Sequence, residues 1–212
     1  MKERPILFKG EMVRAILEGR KTQTRRVLKK NIPIDAYYDQ DEILILVDEA
    51  GVDLCDVVYA DWYCPLGNAG DQLWVRERMY FDPDAGWKYY ADEALVTADY
   101  SKKTQSCPSI HMPRIASRIT LTINRVWVER VQDISSADVW QEGVKPSCNG
   151  CCHSDDEGDC GIRCEDCVSD QPQIDFAKLW DSINGEPRKD GADISWSANP
   201  WVWCVEFERV TA

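Results

Sequence analysis

Apolar positions along the chain recur with two different periods. Pro5-Ile-Leu-Phe8 is a short apolar run that predicts a first strand. Met12, Val13, Ile16 and Leu17 then fall at i, i+1, i+4 and i+5, one stripe of a short helix over residues 11–18. Gly19 stands where a helix C-cap belongs. A basic, hydroxyl-rich turn from Arg20 to Arg26 follows and feeds Val27-Leu28. Later the period becomes two. Leu73, Val75 and Glu77 face one way and Trp74, Arg76 and Arg78 the other, which reads as a strand. Ile43–Val47 and Trp87–Tyr90 also read as strands. Ser117–Val131, with Ile119, Leu121 and Ile123 alternating, predicts a long one. Ser135, Ser136 and Asp138 open a short helix that runs through Trp140 and Glu142. Gln173–Ile183 reads as an amphipathic helix ended by Asn184-Gly185, and Trp201–Phe207 as a final apolar strand. Residues 29–68 form a weakly patterned, variable insert, and 145–170 a separate Cys-rich one. The order predicts a mainly-β α+β protein, a small mixed barrel with three short helices forming one domain over 1–212.

Composition narrows this picture. Of 212 residues, 44% are hydrophobic and 29% charged, enough for a core and too apolar for a disordered chain. No apolar run nears the ~18 residues of a membrane span. Charges interrupt the first apolar stretch, so a signal peptide is not expected and a cytoplasmic location is. The formal net charge is −12, which opposes a general grip on nucleic acid. Residues 1–30 nonetheless hold ten Lys and Arg against three Glu. A basic patch on an acidic body suits a focused anionic site. There are two histidines, His111 and His153, so chemistry needing several imidazoles is excluded.

Four segments carry a recognisable combination: PILF followed by MVRAILEGRKTQTRR, GDQLWVRE at 70–77, FAKLWDSING, and NPWVWCVEF. Together they resemble the ASCH family, in the version carried by phages and prophages. The resemblance covers residues 5–28, 70–82, 112–143 and 174–210, and leaves both inserts unexplained. It implies a PUA-like small β-barrel with flanking helices, acting on RNA or a modified nucleoside in a bacterial host cell. One branch of the family hydrolyses the acetyl amide of N4-acetylcytidine, and some members are ribonucleases. In the amidohydrolase branch the working groups are a Lys and a Thr three apart after the first helix, and a Glu further on. The resemblance carries these onto Lys21, Thr24 and Glu77.

The residues allow that chemistry. At i and i+3 on a helical turn, Lys21 and Thr24 would lie about 5–6 Å apart at Cβ. A Thr hydroxyl needs a base, and a Lys supplies one when desolvation or neighbouring cations lower its pKa. Arg20, Arg25 and Arg26 are the neighbouring cations. Glu77 would protonate the leaving exocyclic amine. The same turn equally reads as an anion-binding loop, with Lys21, Arg25 and Arg26 on a phosphate, Thr24 capping, and Glu77 paired to an arginine. Trp196 and Trp201 flank Asn199-Pro200, so either ring could stack a base and Asn199 read its edge, although Asn-Pro is first of all a turn.

Six of the ten cysteines fall between Cys148 and Cys167. Cys148-Asn-Gly-Cys151 and Cys164-Glu-Asp-Cys167 are two C-x2-C knuckles twelve residues apart, the spacing of a structural zinc site. Cys152, His153 and Cys160 are spare ligands. The insert is acidic, so it suits a stapled lid or a protein contact better than a phosphate grip. Two further function classes stay open: a non-catalytic RNA or nucleotide binder, and an acidic phage protein that meets a host protein as a nucleic-acid mimic.

Overall fold

The computed structural model describes residues 1–28, 35–38, 44–47, 64–84, 86–92, 105–144, 172–186 and 191–210. The two C-x2-C knuckles expected to bind zinc, within 145–170, and most of the 29–68 insert lie outside the described residues.

The chain begins with β1 (Glu3–Leu7) and α1 (Gly10–Leu17). The apolar stripe of α1 buries Val13 and Ile16 against the sheet. Its end is a Schellman motif: Gly19 N–H donates to Ile16 O and Arg20 N–H to Ala15 O. Gly19 takes φ +77°, which a side chain would resist. Next comes β2 (Gln23–Val27), where the sequence predicts a turn. The difference has a physical cause. The final strand, β10 (Trp201–Arg209), is strongly apolar and needs a partner, and pairing overrides the turn-like composition of QTRRV.

β5 (Gln72–Arg76) and β9 (Thr120–Arg130) complete a five-stranded sheet in the order β1-β5-β9-β10-β2, with β1 parallel to β5 and the other pairs antiparallel. Smaller sheets join β3 (Asp35–Tyr38) to β4 (Leu44–Val47), and β6 (Met79–Asp82) to β7 (Gly86–Tyr89) and β8 (Gln105–Cys107). The fold is mixed α+β and mostly sheet. Among the described residues the main sheet is open, with β1 and β2 at its edges, where the sequence predicts a barrel. A side chain, not a strand ladder, spans these edges: Arg26 Nη2 donates to Leu7 O at 2.9 Å.

β10 is buried on both faces, so its residues divide by period two. Trp203, Val205 and Phe207 join Ile6, Phe8, Val13, Leu73 and Leu121 in one core. Val202 and Cys204 join a second core with α2 (Ser136–Gln141) and α3 (Pro172–Asn184), through Val139, Phe176 and Trp180. Ser135 caps α2, accepting from Asp138 N–H at 3.1 Å. No helix among the described residues is long and apolar enough to cross a membrane.

Candidate active site

Strand register decides where the basic residues point. Arg25 lies opposite Cys204, on the face covered by α2. Thr24 and Arg26 lie opposite Val205 and Trp203, on the face that holds Phe8. Lys21 enters just ahead of β2, where the end of α2 docks: Thr22 N–H donates to Gln141 O at 2.8 Å. Gly143 lets the two segments touch. A Cβ there would come within 2.9 Å of both the Ala15 and Lys21 Cβ atoms.

Lys21 is buried, and its ammonium has three acceptors for three donors. These are Gln23 O at 2.7 Å, Glu142 O at 2.8 Å and Glu142 Oε2 at 2.6 Å. The other Glu142 oxygen accepts from Arg25 Nη1 at 3.2 Å. Arg25 Nε donates to Glu129 Oε1 at 2.7 Å, while its Nη2 approaches the same oxygen without the alignment of a hydrogen bond. One carboxylate thus bridges two buried cations. Burial pulls Lys21 below its ordinary pKa, against the attraction of Glu142, and the nearby Arg26 and Arg25 charges push the same way as burial.

These groups open onto one cleft. Lys21, Thr24, Arg25, Arg26 and Glu142 form its polar wall. Phe8 and Met12 line one apolar side, and Phe176, Leu179, Trp180 and Ile183 of α3 the other. The α3 residues fall at i, i+3, i+4 and i+7, a single helix face. The cleft measures about 80 Å³. Thr24 Oγ1 makes no hydrogen bond among the described residues.

The structure therefore brings together Lys21, Thr24, Arg25 and Arg26. It places Glu77 elsewhere. That side chain points inward beside Leu73 and Val75, as the alternation predicts, but its two oxygens receive Arg118 Nε at 2.8 Å and Nη2 at 2.9 Å. Glu77 is not among the residues lining the cleft. Arg20 is held by Glu18 and by Gly143 O. Trp196 packs edge-on against Phe176, with ring centroids 5.9 Å apart. Asn199 adopts φ +47° and accepts from Gln132 N–H at 3.1 Å, so it is a turn residue. Trp201 starts β10 beneath Arg130. None of the three lines the cleft, whose aromatic walls are Phe8, Phe176 and Trp180.

Glu142 is the acid that the sequence reading passes over. A signal was present. A Glu at a helix C-terminus opposes the helix dipole, and in α2 that position is tolerable only beside a cation. Among the described residues no group of His, Cys, Asp and Glu could hold a metal ion. Cys204 is a core thiol, and burial raises its pKa well above the ordinary value. Comparison with protein families, curated proteins and solved structures finds no match to this chain.

Proposed function

We propose that this chain is an ASCH-type, PUA-like amidohydrolase that removes an acyl group from the exocyclic amine of a cytosine base. Arg26, spanning β1 and β2, marks the seam where such a barrel would close. The observation that carries the reading is the cleft itself: Thr24, whose hydroxyl has no hydrogen bond among the described residues, lines the same space as a buried Lys21–Glu142 pair. Glu142 replaces Glu77 as the acid, because it shares the cleft and Glu77 does not.

The pair holds one mobile proton. Moving it from Lys21 Nζ to Glu142 Oε2 leaves the net charge unchanged and makes Lys21 a base and Glu142 an acid. Thr24 Oγ1 then attacks the acyl carbon and yields its proton to Lys21 Nζ. The carbon–nitrogen bond breaks as Glu142 gives its proton to the leaving amine, which frees the base. The acyl group is now an ester on Thr24. Water attacks that ester and passes a proton to Glu142, and Lys21 returns one to Thr24 Oγ1. Glu142 then returns its proton to Lys21, and the products are the free acid and the starting enzyme.

The test is incubation with N4-acetylcytidine, with cytidine read by mass. The wild type releases cytidine, and Glu142→Gln slows release by about 10²–10⁴-fold. No cytidine from the folded wild type overturns the reading. The two C-x2-C knuckles, Cys148/Cys151 and Cys164/Cys167, are proposed to hold one structural zinc. Elemental analysis of the purified chain tests that, and folded protein without metal contradicts it.

A further inference from the structure

The cleft is too small for a nucleoside. At about 80 Å³ it falls below the ~150 Å³ that encloses a benzene ring, so it admits an acyl amide and one edge of a base. The sugar has to lie outside, and among the described residues two larger hollows adjoin. One, of about 380 Å³, faces α1 and the end of α2. Its cations Arg14 and Arg20 are matched there by Glu11 and Glu18. The other, of about 370 Å³, runs along the open seam between β1 and β2. Either volume lies within the ~300–1,000 Å³ of small-ligand sites. Charge separates them.

The seam groove is lined by three cations, Lys9, Arg26 and Arg76, and by no carboxylate. Arg26 donates to the Leu7 and Arg25 carbonyls, and lies over the Phe8 ring. Arg76 donates to Met112 O at 3.1 Å and stacks on Trp74. Neither guanidinium has a carboxylate partner among the described residues, and Lys9 has no side-chain partner there. This contrasts with Lys21, Arg25 and Arg20, all neutralised by Glu142, Glu129 or Glu18. Burial lowers the Arg26 pKa, with only the Glu142 charge opposing it, so Arg26 gains from an added anion. Arg26, Met12 and Ile183 line both cleft and groove, so one ligand can span the two.

We infer that the seam groove binds a phosphate esterified to the substrate, so the preferred substrate is a nucleotide and not a free nucleoside. Lys9, Arg26 and Arg76 hold the phosphate while the base edge enters the cleft. This rests on the proposed function for the base but not on any catalytic step. The test is therefore equilibrium binding. Cytidine, cytidine 5′-monophosphate, cytidine 3′-monophosphate, a short oligonucleotide and inorganic phosphate are titrated into the full chain at low salt. At least one phosphate-bearing cytidine binds tighter than cytidine by about tenfold or more, and added salt shrinks the difference. Arg76→Gln and Lys9→Gln each lower that preference. Lys9 is exposed and makes no side-chain hydrogen bond or ion pair among the described residues, so its substitution leaves folding intact. Preference for the oligonucleotide over both monophosphates identifies an internal phosphate as the source. Equal affinity for cytidine and every phosphorylated probe overturns the inference, as does a preference that survives both substitutions. If phosphate preference holds while N4-acetylcytidine is not hydrolysed, the hydrolase reading fails and the subsite stands.

Discussion

Glu142 and Glu77 are enclosed to a similar depth, at 5% and 1% exposure; Glu142 is held by two cations, Lys21 and Arg25, and Glu77 by one, Arg118. Their surroundings differ in what else can reach them. Glu77 is clamped through both oxygens by Arg118, which also binds Asp92 and lies over the Tyr89 ring at 4.0 Å. Both Glu77 oxygens are thereby occupied. Glu142 divides its oxygens between Lys21 and Arg25 and lines a cleft that Thr24 also lines. A buried carboxylate is costly in either place. Of the two, Glu142 lines the cleft that Lys21 and Thr24 also line, and Glu77 does not.

The sharpest way to separate the corners is chemical. Thr24→Ala lowers deacylation of N4-acetylcytidine by about 10³-fold or more. Glu77→Gln leaves the turnover of folded protein at the wild-type level, as steady-state kinetics would show. Loss of turnover in folded Glu77→Gln would move the acid back to the strand.

Stability comes next. Glu142→Ala strands Lys21 and Arg25 without their shared partner and costs about 3–5 kcal/mol. Glu77→Ala costs less, about 1–3 kcal/mol, because water reaches the 26%-exposed Arg118 side chain. Urea unfolding of both variants measures the gap. Gly143→Ala places a methyl against Ala15 and Lys21 at φ +82°, and costs about 1–3 kcal/mol by the same assay.

The smallest effect is the pH response of the Lys21 corner. Lys21 has a lower pKa folded than its ordinary 10.5. Between those two values the unfolded chain binds more protons, so unfolding free energy rises with pH. Activity falls over the same window, because the pair loses the proton it shuttles. Opposite slopes of stability and kcat/KM, with the stability slope reduced in Lys21→Met, support the account. Parallel slopes count against it. The Glu77 corner contains no lysine, and its Tyr89, raised above its ordinary pKa by burial, gives the opposite sign: above that ordinary value unfolding free energy falls with pH.

Much of this contrast was legible in the residues. The α1 stripe, its Gly19 ending, the β5 alternation, β9, α3 and β10 follow from period and capping alone. Lys21, Thr24, Arg25 and Arg26 do share a cleft. What failed was partner choice. Glu77 looked inward by period two, which is correct, but period says nothing about which cation meets it 41 residues away. Glu142 lies 121 residues from Lys21, and only the pairing of β2 with β10 and the docking of α2 bring them together. The turn read from RKTQTRR is half strand for the same reason: its pairing partner is at the far end of the chain.

The central claim is that Thr24 carries the acyl group in a cleft shared with Lys21 and Glu142. Rapid quenching of the wild type with N4-acetylcytidine, followed by peptide mass spectrometry, tests it directly. An acetyl group on Thr24 that forms and decays with turnover, and is missing from Thr24→Ala, is the predicted result. Full turnover by Thr24→Ala, or an acetyl group that resides only on another residue, would contradict it.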